Sequence, residues 1–370
     1  MKTKLFLCLA GLLCLCVPVH SGPPIANRKV QIALLLDTSN SMDGLIDQAK
    51  AQLWKLVNHL ATAKKDSQNT DIEIALFEYG NDNLVMGEGY VRMVSALTTD
   101  VDGISEQLFS LKTKGGSEYC GWVLGNAVKE LNWSASSKDL KIIVVAGNEP
   151  FDQGPKPYRL ACQQADQKSI LINTVFCGDW REGIRTHWQS GANLGKGQYL
   201  NIDQDRKVVQ LPTPYDDELI RLNTRLNETY VAYGFYGKKM SARQTTQDAN
   251  AAVYGKGNAA QRATYKGKSQ YRNDGWDLVD ATEKDAQKLE SLHADELPES
   301  MRSLSLPQKK VYLETKRTER TKVQKQIRDV DLKMQPYITQ ELKKQGVTNT
   351  LDQVMLDAVT KQATAKGFVF

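Results

Sequence analysis

The sequence predicts an α/β protein: a doubly wound, mostly parallel sheet followed by an α-helical C-terminal extension. Three features predict it. KVQIALLLD at Lys29–Asp37 and LKIIVVA at residues 140–146 are continuous apolar runs, as strands buried on both faces must be. From residue 29 to about Pro214, such runs alternate with segments of helical apolar spacing, the signature of crossover helices on a parallel sheet. After Pro212 and Pro214 the strand pattern stops and helical segments rich in Ala, Gln, Lys and Arg take over.

Each element follows in turn. After the first strand, Leu45, Ala49, Leu53, Leu56, Val57 and Leu60 share one face of a helix over 43–63. DIEIALFE at 71–78 is the next strand and 90–94 a short one at an edge. Thr98 or Thr99 caps a helix running to about Lys112. A helix over 118–131 is entered through Gly115-Gly116, and LKIIVVA follows. Helix 157–168, strand 169–176, helix 182–194 and short strand 198–202 complete the alternation. Segment 216–233 is helical and closes this part. In the extension, 277–292 and 308–344 read as helices, the second with a narrow stripe of Val323, Ile327, Val330 and Met334 suited to a coiled coil or hairpin. Thr350 and Gln353 form a capping box for a last helix to about Ala365. The expected organisation is a signal peptide at 1–21, the α/β domain at 22–215, a helical extension at 216–300, and a charged helical hairpin at 301–370 capable of self-association.

Residues 5–19 form an apolar run behind two lysines, shorter than the ~20 residues a spanning helix needs. It reads as a secretory signal, giving a periplasmic or extracellular protein. Cys8, Cys14 and Cys16 leave with it, so Cys120, Cys162 and Cys177 remain and allow one bridge at most. Cys162 and Cys177, on neighbouring predicted elements, are the candidate pair; small buried thiols are the alternative. A net charge of +5 is too mild and diffuse to argue for nucleic acid. Tyr254, Tyr265 and Tyr271 interleave with Lys256, Arg262, Lys266, Lys268 and Arg272; the preferred reading is a helix laid on the main domain by its tyrosines, with its charges in water. The stretch 301–350 is basic, with twelve Lys/Arg against five Asp/Glu, and suits a solvated helix face.

Leu34–Gly44, LLLDTSNSMDG, carries the chemistry. Asp37 stands at the carboxyl end of a buried strand, where ligands bind in open α/β sheets. Ser39 and Ser41 follow at alternate positions and bring two hydroxyls to the same place. A carboxylate and two hydroxyls are hard oxygen ligands, suited to Mg²⁺ or Mn²⁺ rather than zinc. They leave positive charge uncompensated, so a partner's carboxylate would complete the coordination. The same residues also suit a helix N-cap and turn.

Asp37-Thr38-Ser39-Asn40-Ser41 closely resembles the D-x-S-x-S metal-ion-dependent adhesion site (MIDAS) of von Willebrand factor A domains, and the resemblance covers about residues 29–205. It implies a Rossmann-like fold and cation-dependent protein binding or adhesion. In the second loop, after Gly115-Gly116, it implies an oxygen ligand from Ser117, with neighbouring Glu118 as substitute. In the third loop the family presents an Asp; the aligned position here is Gly147, and Asn148 and Glu149 follow with usable oxygens, Glu149 as the replacement carboxylate.

His59, His187 and His293 have no second His or Cys at ligand spacing, and no phosphate-binding loop or nucleophile elbow is present. Three readings follow. The first is a non-enzymatic exported binding module using Mg²⁺ or Mn²⁺ to capture an acidic side chain of a protein partner. The second is a scaffold of the same fold that binds by shape without metal. The third, weakest for want of a general base beside the cation, is a metal-dependent hydrolase.

Overall fold

One sheet contains β1 (Lys29–Asp37), β2 (Asp71–Tyr79), β3 (Val91–Thr98), β4 (Leu140–Gly147), β5 (Leu171–Cys177) and β6 (Lys196–Ile202), in the order β3-β2-β1-β4-β5-β6. Every neighbouring pair is parallel except β3, which runs antiparallel to β2 at the edge. The fold is thus doubly wound, as expected, and the winding reverses between β1 and β4. The computed structural model describes residues 28–202, 211–345 and 351–370. The expected signal segment and the Thr350 cap lie outside the described residues. Among the described residues no helix is long and apolar enough to cross a membrane.

Alternate residues of β1 serve opposite cores. Val30, Ile32, Leu34 and Leu36 pack with α1 (Asp43–Leu60) and α2 (Val101–Ser110); Ala33 and Leu35 pack with α3 (Cys120–Glu130), α4 (Tyr158–Gln167) and Trp188. This is why the strand reads as an unbroken apolar run. The predicted helix at 182–194 is two pieces, α5 (Trp180–Arg185) and α6 (Trp188–Leu194), separated by His187 at φ 71°. That left-handed residue turns the fully buried Trp188 into the core. The proposed Cys162–Cys177 bridge is absent. Both thiols are free and buried, but they belong to cores on opposite faces of the sheet, and burial pushes Cys162 up to about 12.

The extension contains α7 (Asp216–Asn227), α8 (Gly237–Val253), α9 (Lys256–Lys266), α10 (Leu278–Lys284), α11 (Glu299–Arg302), α12 (Leu306–Gln345) and α13 (Leu351–Ala365). The predicted helix at 216–233 stops at Asn227 because the chain then extends to pair with Asp277 through Ala232. The stripe Val323, Ile327, Val330 and Met334 is consumed within the chain, against Leu219, Leu222, Leu226, Ala260 and Ala263. The final helix was expected to fold back as a hairpin on α12. Instead Ala358, Val359 and Ala363 join the core of α1 and the sheet, which is apolar where α12 is mostly charged. Val369 then pairs with Lys64 on a two-residue hairpin strand after α1.

The tyrosines do lay α9 on the main domain: Tyr265 packs 6.0 Å from Trp54 of α1. Lys256 is exposed as expected, but Arg262 and Lys266 are not in water. Arg262 is 1% exposed, with its guanidinium 4.5 Å over the Trp54 ring. It donates to Asp102 of α2 at 2.7 Å and to Asp248 of α8. Lys266, also buried, reaches Asp248 at 3.1 Å, and the Tyr271 hydroxyl donates to Asp102 at 2.6 Å. Burial pushes the Asp248 carboxyl up, but Lys266 and Arg262 overcome this and hold it well below the ordinary carboxylate range. A second buried cluster, Arg320 with Asp277 and Asp280, fastens α12 to α10.

Breaking a buried ionic cluster by removing one member costs more than the cluster contributes, because the partners stay buried and uncompensated. Arg262→Met is therefore expected to destabilise the chain by about 3–5 kcal/mol in urea unfolding. An unchanged midpoint would mean that the cluster is not what fastens the helices to the sheet.

Candidate metal centre

The carboxyl ends of β1, β2 and β4 lie side by side, since Asp37 is in register with Tyr79 and Leu36 with Ala146. Asp37 ends β1 with no exposed surface. Its Oδ1 accepts the Ser39 N–H at 2.8 Å, which bends the chain back over the strand end. The Ser39 and Ser41 hydroxyls then lie 3.2 Å apart, and the Asn148 Nδ2 donates to Ser41 Oγ at 3.1 Å. Thr38, the intervening residue, points the other way and donates to the Tyr79 carbonyl at 3.2 Å. Alternation thus does what the motif requires: odd positions face the site and the even one anchors the loop.

The second loop closes over this turn. Lys114 N–H donates to the Thr38 carbonyl at 2.9 Å, and Asp82 N–H to the Gly115 carbonyl at 2.7 Å. The side chain that enters from this loop is Glu118, which is buried. Gly80, at φ +77°, makes room for it: a Cβ there would stand 2.6 Å from Glu118 Cγ and 2.9 Å from Asp37 Oδ1. Ser117 is half-buried in the same loop and makes no hydrogen bond to another described residue.

Gly147 is explained by Tyr79. A Cβ at Gly147 would lie 2.5 Å from the Tyr79 hydroxyl and 3.0 Å from Asp37 Oδ2. The phenol, donating to the Ala146 carbonyl at 2.9 Å, fills the space a third-loop carboxylate would need. Glu149, the expected replacement, is exposed on the loop beyond, its carbonyl accepting from the Trp188 indole at 2.8 Å. The buried second carboxylate beside Asp37 is Glu118. Sequence reasoning missed Gly80, Tyr79, Trp188 and Gln153, whose Oε1 accepts the Glu118 N–H at 2.9 Å. The glycine at the end of DIEIALFEYG was the one available signal.

The electrostatics are those of crowded carboxylates. Burial raises Asp37 to about 7; the Ser39 N–H works against this and the charge of Glu149 adds to it. Burial, with the charges of Asp37 and Glu149, raises Glu118 to about 8. At this site two buried oxygens, Asp37 Oδ2 and Asn148 Oδ1, have no hydrogen-bond partner among the described residues. No three His, Cys, Asp or Glu side chains among the described residues form a metal cage on their own. The donor set is instead mixed: carboxylate, hydroxyl and amide oxygens, a hard set fitting a hard divalent cation.

No protein-family model and no curated protein matches the chain. Solved structures resemble about half of it. BatB, a conserved hypothetical protein of Bacteroides thetaiotaomicron, is 17% identical over 47% of this chain and 90% of its own, with a TM-score of 0.36. The SpRpn10 VWA domain is 14% identical over 48% and 90%, TM-score 0.36. Proximal thread matrix protein 1 of the mussel byssus, with a zinc-occupied MIDAS motif, is 13% identical over 48% and 42%, TM-score 0.34. The chemistry of this site rests on its own residues.

Asp37 ordinarily loses its proton near 3.8, but in the folded chain holds it to about 7. Between those values the folded chain binds more protons than the unfolded one, so stability falls as pH rises, by on the order of 4 kcal/mol for this group. In chelator, the Tm of the wild type relative to Asp37→Asn is expected to fall from pH 5 to pH 8, and saturating Mg²⁺ to flatten that slope. A difference independent of pH would contradict it. Gly147→Asp should cost about 1–3 kcal/mol through its clash with Tyr79, part of which Tyr79→Phe restores in the double variant. Equal stabilities of Gly147→Asp and wild type would show that the phenol does not occupy that space.

Proposed function

We propose that this chain is an exported, non-enzymatic binding protein of the von Willebrand factor A type, whose strand-end site holds Mg²⁺ or Mn²⁺ and captures an acidic side chain of a protein partner. Asp37, Ser39 and Ser41 would supply the first oxygens, with Glu118 or Ser117 from the second loop and Asn148 and Glu149 from the third. The cation would supply uncompensated positive charge facing solvent. The residues of the chain orient the donors and exclude water from beneath them. The observation that carries this reading is the pair of orphaned buried oxygens, Asp37 Oδ2 and Asn148 Oδ1, beside two hydroxyls. Burying polar atoms without partners is costly, and a hard cation is the ligand that this donor set would accept.

A second reading, a scaffold that binds by shape without metal, has support of its own. With Tyr79 in place of a third-loop carboxylate, Asp37 and Glu118 can sit protonated at neutral pH and need no cation.

Titration calorimetry decides between them. The first reading expects saturable Mg²⁺ or Mn²⁺ binding with release of protons, lost in Asp37→Ala while that variant stays folded. It also expects capture of an acidic partner from the envelope fraction to disappear in chelator. Absence of heat and of any melting shift at millimolar metal would leave the metal-free scaffold.

A further inference from the structure

We infer that the free edge of β6 is a docking strand for an extended, acidic segment of a partner protein. β6 pairs with β5 on one side, and among the described residues no strand pairs with the other. An unpaired edge offers a row of N–H and C=O groups spaced for another strand. The seven residues of Lys196–Ile202 give it a length of roughly 20 Å.

Among the described residues nothing covers the edge, and it is not flat. α6 packs on one face of β6 and α13 on the other, and between them runs a groove of about 650 Å³ along the strand. The wall is fixed: Gln362 of α13 and Asn173 of β5 exchange two buried amide hydrogen bonds, at 3.0 and 2.7 Å. Trp180 is 47% exposed, with its ring 4.4 Å from that of Tyr199, whose hydroxyl donates to the Trp180 carbonyl at 2.8 Å. This is an immobilised aromatic platform beside the strand.

Charge selects the occupant. Lys196, Lys361 and Lys366 line the groove, and among the described residues no carboxylate does. Lys196 is paired with Asp166 and Lys366 donates to the Ser137 carbonyl, while Lys361 is exposed at the rim. A lysine on an open edge repels basic strands and favours an acidic one. The occupant that uses every part is a peptide in β conformation: main chain on β6, one apolar side chain on Trp180 and Tyr199, carboxylates at the lysines. This site lies at the sheet's edge and needs no cation, so it stands or falls separately from the strand-end site.

The test is fluorescence anisotropy with the full chain and three labelled ten-residue peptides: alternating Glu-Val, alternating Lys-Val, and Glu-Val N-methylated at every second residue. The Glu-Val peptide is expected to bind saturably, unaffected by chelator. The Lys-Val and N-methylated peptides should bind at least roughly tenfold more weakly, the latter because the main-chain donors are gone. Lys361→Glu and Trp180→Ala should each weaken Glu-Val binding by about tenfold. No binding of Glu-Val, or equal binding of Lys-Val, would overturn the proposal. Full binding of the N-methylated peptide would rule out strand addition, and indifference to both substitutions would place the contact elsewhere.

Discussion

A carboxyl group that is wholly removed from water must be neutralised, paired or protonated, and Asp37 puts the molecule under that obligation. The sheet imposes the burial: β1 lies between β2 and β4, so whatever ends it is walled in by their ends. The surrounding loops look like responses to this one group. Ser39 folds back to satisfy one oxygen, Gly80 withdraws its side chain to admit Glu118, and Gly147 does the same for the Tyr79 hydroxyl. The second oxygen is left unanswered, and the proposed cation chemistry begins there.

The helical layer obeys the same electrostatic logic with the opposite outcome. Arg262, Lys266 and Asp102 are nearly as buried as Asp37 and Asp248 is largely so, yet every charge has an opposite within hydrogen-bonding reach. The ions are satisfied and the cluster is structural. The contrast distinguishes the two buried polar groups: both are expensive to desolvate, but only the strand-end group leaves a carboxylate oxygen unclaimed among the described residues.

The strands were legible because a two-sided sheet leaves no room for polar residues, so KVQIALLLD and LKIIVVA could hardly be anything else. Asp37, Ser39 and Ser41 were legible for a related reason, since an abrupt carboxylate after such a run marks the strand's end. What could not be read was which of several oxygens would turn inward. Ser117 and Glu118 are adjacent, and only the hole left by Gly80, far away in sequence, selects Glu118. The role of Tyr79 against Gly147 is likewise a contact between strands that no local pattern encodes. In the extension, amphipathic spacing located the helices, but Arg262 and Lys266 look like solvent-facing charges until Asp102 and Asp248 are brought to them. The hairpin expectation for the last two helices failed because spacing identifies an apolar face without saying which surface covers it.

Arg262 also grips α1, through the face of Trp54, and α1 begins two residues after Ser41. The helical layer is therefore clamped to the rod on which the D-x-S-x-S turn is mounted. A substitution that loosened α8 or α9 would therefore also remove support from α1, the helix that carries the chain on from the D-x-S-x-S turn.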